Sequence, residues 1–159
     1  MSAQSGLSLT RPSILLASWF GCGFLPWVPG TWGSLAALPL GWIALALGGP
    51  GAVLILAAAI FVAGVAVCDA AVRASGDPDP PWAVIDEVAG QLLVLAVAPP
   101  NPWAYLAGFL LFRLFDIWKP FPIRLAERAA GGIGVMADDA VAALYAGLVL
   151  IVGSYLLAG

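Results

Sequence analysis

The sequence predicts an all-α protein, a polytopic helical membrane bundle of about four spans plus a short N-terminal re-entrant or interfacial helix. Of its 159 residues, 62% are hydrophobic and 9% are charged, and the mean hydropathy of +1.02 is far above that of an average soluble domain. No charged side chain occurs from Pro12 to Cys68, and this run is long enough for two spans. We therefore expect residues 1–159 to form a single helical membrane domain.

Glycine and proline divide the first half of the chain. The stretches "PWVPG" and "GGPG" interrupt the apolar run and predict a short helix over about 12–25, followed by helices over about 31–47 and 51–73. The first helix is too short to cross a bilayer alone, so we expect it to be re-entrant or interfacial. The other two are predicted spans.

Polar and proline-rich loops separate the remaining predicted helices. Two helices are expected over about 82–98 and 103–118, with "PPNP" between them, and a last helix over about 138–157. Residues 119–137 contain too much proline and glycine for a span. We expect one or two amphipathic interfacial turns within them, around 123–130.

Charged residues are predicted to gather at one end of this bundle. If successive helices alternate in direction, the charges near their ends fall on one membrane face, and the opposite face receives the uncharged "GGPG", "PPNP" and "LLAG". The residues concerned are Asp69, Arg73, Asp86, Glu87, Arg113, Asp116, Asp138 and Asp139. Because lysine and arginine in short loops mark the cytoplasmic side of a membrane, we predict a cytoplasmic working face.

The residue types at that face favour a hard cation and a phosphate. The chain has no histidine and only two cysteines, which have neither metal-type nor disulfide-type spacing. Acidic residues inside apolar helices usually turn inward toward a partner, water or a cation, and carboxylates alone favour Mg²⁺, Ca²⁺ or Mn²⁺. Arg113, Asp116 and Lys119 recur every three residues and share one face of their helix. A carboxylate flanked by two cations suits a phosphorylated headgroup.

The acidic residues also have structural interpretations. Asp138 or Asp139 can cap the last helix, although one cap explains only one of the two aspartates. Asp86 and Glu87 can form a salt bridge to an arginine of another helix, and we weigh this about evenly against metal binding.

Other polar residues admit two interpretations as well. Thr31 and Ser34 open a helix at the charged face and can receive a phosphate, or Thr31 is a helix cap and Gly33 a packing residue. Asp69 can form an ordinary ion pair with Arg73, four residues later, or contribute to the site. The remaining candidates have mainly structural explanations: turn formation for Asp77 and Asp79, and a solvated or headgroup-facing surface for Arg124, Glu127 and Arg128.

Four sequence blocks occur in order along residues 29–147. They are "PGTWGSLAALPL", "VIDEVAGQ", "FRLFDIWKPFPI" and "GGIGVMADDAVAALYAG". In these blocks the chain resembles the phosphatidylglycerophosphatase A family, and the combination of "IDE", "FDxxKPxPI" and "GGxGxMxDD" is specific.

The resemblance implies a Mg²⁺-dependent, multi-pass enzyme of the bacterial inner (cytoplasmic) membrane that converts phosphatidylglycerophosphate to phosphatidylglycerol and phosphate. By motif position, it implies catalytic and metal-binding roles for the acidic residues and phosphate-binding roles for the basic ones. The acidic residues are Asp86, Glu87, Asp116, Asp138 and Asp139, and the basic residues are Arg113 and Lys119. Asp79 also matches a frequent family element, whereas Asp69 matches none of the blocks. The nucleophile is either water or an aspartate that forms a phospho-enzyme.

A divalent-cation or proton-coupled membrane transporter is the alternative function, because inward-facing acids also mark ion pathways. A carrier should place acids near the midplane and polar groups at the opposite face, whereas the predicted charges lie at one face. For partners we expect the lipid substrate and membrane lipids but no nucleic acid, and the oligomeric state is open.

Overall fold

The computed structural model describes residues 9–158, and the regular structure in that range is helical. The elements are α1 (Pro12–Ala17), a 3-10 turn (Cys22–Phe24), α2 (Pro29–Ser75), α3 (Ile85–Leu95), α4 (Pro102–Trp118), α5 (Ile123–Ala126) and α6 (Gly132–Ala158). No β-strand occurs between residues 9 and 158. The predicted all-α class is therefore confirmed.

Two of the predicted spans are the arms of one bent helix, α2. Its backbone leaves helical geometry at Gly48 and Gly49, and Gly49 has a φ of 69°, a left-handed value that glycine tolerates because it lacks a Cβ. Pro50 follows directly and cannot donate a helical hydrogen bond. The bend separates a first arm, residues 29–47, from a second arm, residues 50–75.

The two arms run in opposite directions along α3. The first arm packs against Val84 through Gly33 and then against Leu95 through Gly41. A Cβ added to Gly33 would lie 2.9 Å from the Val84 side chain, and one added to Gly41 would lie 2.6 Å from the Leu95 side chain. The second arm returns to the start of α3, where Cys68 belongs to the same buried cluster as the first turn of that helix. Both ends of α2 therefore lie at the end of the bundle where α3 begins.

Helix α3 is short and central. Nine of its eleven residues are buried, among them Val88, Leu92 and Leu95 in the main hydrophobic core with Phe112 of α4. Eleven helical residues rise about 16 Å, about half the thickness of a bilayer core. The span predicted over 82–98 is therefore wrong in length, because the helix begins and ends inside those limits.

Helices α2 and α6 are the two in the described range that are long and apolar enough to cross a membrane, with mean hydropathies of 2.7 and 2.2. Large apolar side chains on both helices are exposed, including Ile55 and Val62 on α2 and Leu144 and Leu148 on α6. Exposed apolar faces of this extent are typical of contact with lipid. The structure supports membrane association but does not confirm the predicted count of about four spans.

The predicted N-terminal helix over 12–25 is shorter than expected. Helix α1 ends at Ala17, and Trp19 and Phe20 then adopt left-handed φ values of 47° and 57°, which interrupt helical geometry. Ile14 and Ala17 are buried in a separate small cluster, and the Ala17 carbonyl accepts a hydrogen bond of 2.8 Å from the Val84 N–H. This contact holds the segment beneath the start of α3.

Candidate functional site

Polar residues from four helices meet at the end of the bundle where α3 and α6 begin and α4 ends. Arg113 near the end of α4 reaches Glu87 at the start of α3, and Lys119 just after α4 reaches Asp138 in α6. Asp69 near the end of α2 contacts the first residue of α6. This geometry agrees with the predicted gathering of charges at one end.

Three carboxylates form the centre of the site. Asp86, Glu87 and Asp139 each offer an oxygen, and these oxygens lie within 4.8 Å of one another. Asp86 and Asp139 are 7% and 2% exposed. Each of the three residues has one buried oxygen without a hydrogen-bond partner among the residues that the structure describes. We call these three residues the acidic cluster.

Close helix packing brings the acidic cluster together. A Cβ on Gly30, in the first turn of α2, would collide with the Glu87 carboxylate and lie 3.0 Å from an Arg113 nitrogen. A Cβ on Gly90 would lie 2.7 Å from the Phe112 ring and 3.1 Å from the Asp139 carbonyl oxygen. Glycine at these two positions therefore lets α2, α4 and α6 approach α3.

Arg113 connects the acidic cluster to a second group of charges. Its guanidinium donates a hydrogen bond to Asp116, one turn later on α4, and lies 3.9 Å from Glu87. The Nε atom of Arg113 is buried and has no partner among the described residues. Arg113 therefore retains a donor for a further acceptor at the site.

Lys119 forms the other ion pair of this region. Its ammonium donates to Asp138 at 2.7 Å and to Glu127 at 3.1 Å. Burial alone would lower the Lys119 pKa, but these hydrogen bonds and the attraction to both carboxylates outweigh burial and raise the pKa above its ordinary value. We call Arg113, Asp116, Lys119 and Asp138 the ion-paired group.

The five predicted metal-binding carboxylates thus divide into two sets. Asp86, Glu87 and Asp139 come together, and no basic residue in the described part of the chain is at hydrogen-bond distance from them. Asp116 and Asp138 each bind a basic residue of the ion-paired group. The structural interpretation of Asp86 and Glu87, a salt bridge to an arginine of another helix, holds for Glu87, which lies 3.9 Å from the Arg113 guanidinium.

The capping interpretation of Asp138 and Asp139 is wrong. Helix α6 begins at Gly132 rather than at residue 138, so both aspartates lie within the helix and residues 132–136 form its first turns. Asp69 performs the capping role from α2, because its Oδ1 accepts a hydrogen bond from the Gly132 N–H. Gly131 has a φ of 65° and no room for a Cβ beside Asp69.

No described ion pair joins Asp69 to Arg73, so the structure does not contain the predicted i,i+4 pair.

Asp77 is a turn former, as predicted, since its Oδ1 accepts a 3.0 Å hydrogen bond from the Asp79 N–H. Asp79 and Asp138 both line a cavity of about 240 Å³.

Thr31 and Ser34, the two predicted phosphate contacts, differ in burial. Ser34 is fully buried and its hydroxyl donates to the Gly30 carbonyl at 2.9 Å, so its hydrogen is used within α2. Thr31 is partly exposed in the first turn of α2. It is not the helix cap, because α2 begins at Pro29 and Val28 occupies the cap position. Gly33 is a packing residue against Val84, as the structural interpretation predicts.

Sequence reasoning missed Gln91. This side chain is fully buried, and both of its amide atoms have no hydrogen-bond partner within residues 9–158. Gln91 follows Glu87 by four residues and therefore lies on the same face of α3. A glutamine at that spacing inside an apolar helix is the signal that could have identified it.

The acidic cluster can bind a metal ion. Two buried carboxylates and the partly buried one of Glu87 repel one another unless a positive charge joins them, and the neighbouring described cation, Arg113, is shared with Asp116. The available donors are all oxygens, which fits a hard divalent cation.

Comparisons with known proteins agree with the sequence blocks. The sequence profile of the family Phosphatidylglycerophosphatase A matches residues 15–154. The chain is 44% identical to the Haemophilus influenzae protein named Phosphatidylglycerophosphatase A, over 94% of this chain and 93% of that protein. It is 39% identical to the Escherichia coli protein of the same name, over 96% and 90% of the two chains.

A third relative has a different name. The chain is 36% identical to a Bacteroides thetaiotaomicron protein provisionally named phosphatidylinositol-3-phosphatase, over 94% of this chain and 99% of that protein. No solved structure matches the chain.

Proposed function

The chain belongs to the phosphatidylglycerophosphatase A family, and from this premise we propose that it hydrolyses phosphatidylglycerophosphate to phosphatidylglycerol and inorganic phosphate. Water adds across the bond between phosphorus and the terminal glycerol oxygen. A new P–O bond forms, the bond to the glycerol oxygen breaks, and that oxygen takes up a proton. The two relatives named Phosphatidylglycerophosphatase A support this substrate over other phosphate monoesters.

The acidic cluster is the observation that carries the proposal. Its three unpartnered oxygens, contributed by Asp86, Glu87 and Asp139, are the donors that we propose hold Mg²⁺. Magnesium commonly uses few carboxylates and completes its coordination with water and phosphate oxygens. When bound, the cation supplies positive charge that neutralises the carboxylates and the phosphoryl oxygens.

The two basic side chains of the ion-paired group supply oriented hydrogen-bond donors beside the cluster. Asp116 orients Arg113, whose free Nε can donate to a phosphoryl oxygen, and Asp138 orients Lys119. Donors that are already oriented stabilise charge on a transferring phosphoryl group without reorganisation. We propose that Asp116 and Asp138 act mainly through these two basic side chains.

Thr31 is a further proposed phosphate contact. It lies in the first turn of α2, next to Gly30, which packs against Glu87. The start of a helix offers backbone N–H groups and a positive dipole end to an anion. We do not extend this role to Ser34, because its hydroxyl is bonded inside α2.

We also propose a topology with the site at the cytoplasmic face of the bacterial inner membrane. In this topology residues 1–159 form one domain. The two arms of α2, α4 and α6 cross the membrane, and α3 extends through part of its thickness. Basic residues concentrate near the site and not at the opposite end, as the positive-inside rule requires of a cytoplasmic face. A reporter fused to the C-terminus should be periplasmic, and a cytoplasmic reporter would contradict this topology.

Phosphate release from purified full-length protein tests the function. We expect release from phosphatidylglycerophosphate in detergent micelles, loss of release after chelation, and recovery with Mg²⁺. Phosphatidylinositol 3-phosphate, suggested by the third relative's name, should be hydrolysed more slowly. Absence of metal-dependent release from either lipid would refute the phosphatase proposal. Cation flux into liposomes by a protein without that activity would instead favour the transporter.

A further inference from the structure

A second cavity with polar lining lies beside Lys119. It has a volume of about 350 Å³, and its basic lining residues are Lys119, Arg124 and Arg128. Lys119 therefore contacts both this cavity and Asp138, to which its ammonium donates at 2.7 Å. The next residue along α6, Asp139, belongs to the acidic cluster. We call this second space the basic cavity.

The two arginines of the basic cavity differ from Arg113. Arg113 is largely buried and paired with Asp116, whereas Arg124 and Arg128 are exposed and form no ion pair with any acidic residue between positions 9 and 158. Arginine presents planar donors that match the oxygens of a phosphate. The basic cavity therefore has charge available for an anionic ligand.

The other lining of the basic cavity is apolar and exposed. Trp118, Phe121 and Leu125 are 62%, 79% and 54% exposed. Arginines beside exposed aromatic and aliphatic side chains are typical of a segment that lies in the interface between headgroups and acyl chains. A ligand of the cavity should accordingly be amphipathic, with an anionic group near its apolar part.

We propose that the basic cavity binds the phosphodiester of the substrate lipid while the terminal phosphate monoester reaches the acidic cluster. This inference rests on the proposed function, because phosphatidylglycerophosphate has two phosphates joined by one glycerol unit. The diester lies next to the acyl chains and the monoester lies at the end of the headgroup. The basic cavity has the exposed apolar lining. Lys119 of this cavity pairs with Asp138, which is adjacent to the buried Asp139 of the acidic cluster. This arrangement matches that order.

The assignment separates two recognition tasks. The acidic cluster and ion-paired group act on the phosphate that leaves, and the basic cavity distinguishes a lipid with a second phosphate from a free phosphate ester. Arg124 and Arg128 are thus specificity-determining residues that do not touch the reacting atoms.

The two product fragments provide separate probes for the two sites. Water-soluble dihexanoyl-phosphatidylglycerol retains the diester, and inorganic phosphate represents the monoester. Titration calorimetry of full-length protein in neutral detergent, with Mg²⁺ present, measures both affinities without turnover. We expect the double variant R124Q/R128Q to bind dihexanoyl-phosphatidylglycerol about tenfold more weakly, because it loses two charge-assisted contacts, and to bind inorganic phosphate like the wild type.

Arg73→Gln is the matched control, because Arg73 is an exposed arginine at the same end of the bundle but outside the cavity. It should retain both affinities. Equal phosphatidylglycerol binding by the wild type and the double variant would overturn the assignment, as would an equal loss in Arg73→Gln or no measurable binding to the wild type.

Turnover then distinguishes this inference from the proposed function. For phosphatidylglycerophosphate, the double variant should show a raised KM and a kcat within about twofold of the wild type, since it loses binding common to ground state and transition state. An inactive wild-type protein would refute the phosphatase proposal, whereas an unchanged KM in an active double variant would refute the role of the basic cavity.

Discussion

The acidic cluster and the ion-paired group lie at the same end of the bundle, and both contain acidic residues. The hydrogen-bond partners of these acidic residues differ between the two groups. Asp86, Glu87 and Asp139 have buried oxygens that find no hydrogen-bond partner among residues 9–158. Asp116 and Asp138 accept hydrogen bonds from Arg113 and Lys119. The contrast is sharpest between Asp138 and Asp139, which are consecutive residues of α6.

The difference shows that depth in the bundle does not determine the role of an acidic residue. Asp138 and Asp139 are 5% and 2% exposed, yet one has a lysine within hydrogen-bond distance and the other does not. A buried charge without a partner is costly, so we propose that a cation from outside the chain offsets the charge of the acidic cluster. The ion-paired group is already neutralised and depends on no added ion.

The largest expected effect is the loss of activity when a carboxylate of the acidic cluster is neutralised. Asp86→Asn or Asp139→Asn should lower kcat/KM for phosphatidylglycerophosphate by about a thousandfold, because each removes a charge that holds the metal and its phosphate ligand. Asp77→Asn is the control and should remain within about twofold of the wild type, since Asp77 forms an exposed turn. Comparable activity in all three variants would remove the acidic cluster from the mechanism.

Metal-dependent stability provides the next largest difference between the two regions. At a Mg²⁺ concentration about a hundred times the dissociation constant, binding should stabilise the wild-type protein by about 2.7 kcal/mol. Thermal unfolding in detergent should show this gain in the wild type and in Asp138→Asn. It should be absent from Asp139→Asn, and a full gain in that variant would mean that the ion binds elsewhere.

Without metal, the same substitution should have opposite effects at the two consecutive aspartates. Asp138→Asn leaves Lys119 with Glu127 as its described acidic partner and should destabilise the protein by about 1–3 kcal/mol. Asp139→Asn removes like-charge repulsion within the acidic cluster and should raise the unfolding temperature. Changes of the same sign in the two variants would remove the distinction between the regions.

The sequence predicted which residues gather at the site because that prediction depends only on helix order and direction. Helices that alternate in direction bring Asp86, Arg113 and Asp138 to one end even if their boundaries are several residues in error. The division into two sets was not predictable in this way. It depends on side-chain reach, such as the approach of Lys119 to Asp138 rather than to Asp139.

The boundary errors have a common physical cause. The glycines at 131–134 predict a helix boundary after them, but α6 begins at Gly132, where Asp69, distant in the sequence, caps it. Close packing also accounts for the glycines inside the predicted helix over 31–47, since Gly33 and Gly41 let the first arm of α2 approach α3. A single sequence does not specify which helix lies opposite a glycine, so tertiary packing overrode local propensity.

The smallest expected effect concerns Asp69, which is close to the site but belongs to neither region. Asp69→Ala removes the acceptor for the Gly132 N–H and should cost about 1 kcal/mol of stability. A frayed start of α6 should also displace Asp139 and lower kcat several-fold with little change in KM. Asp69→Asn retains a side-chain acceptor and should restore most of both properties. If Asp69→Asn instead loses as much activity as Asp69→Ala while its stability recovers, the charge of Asp69 matters rather than its capping contact, and Asp69 joins the acidic cluster as a fourth carboxylate.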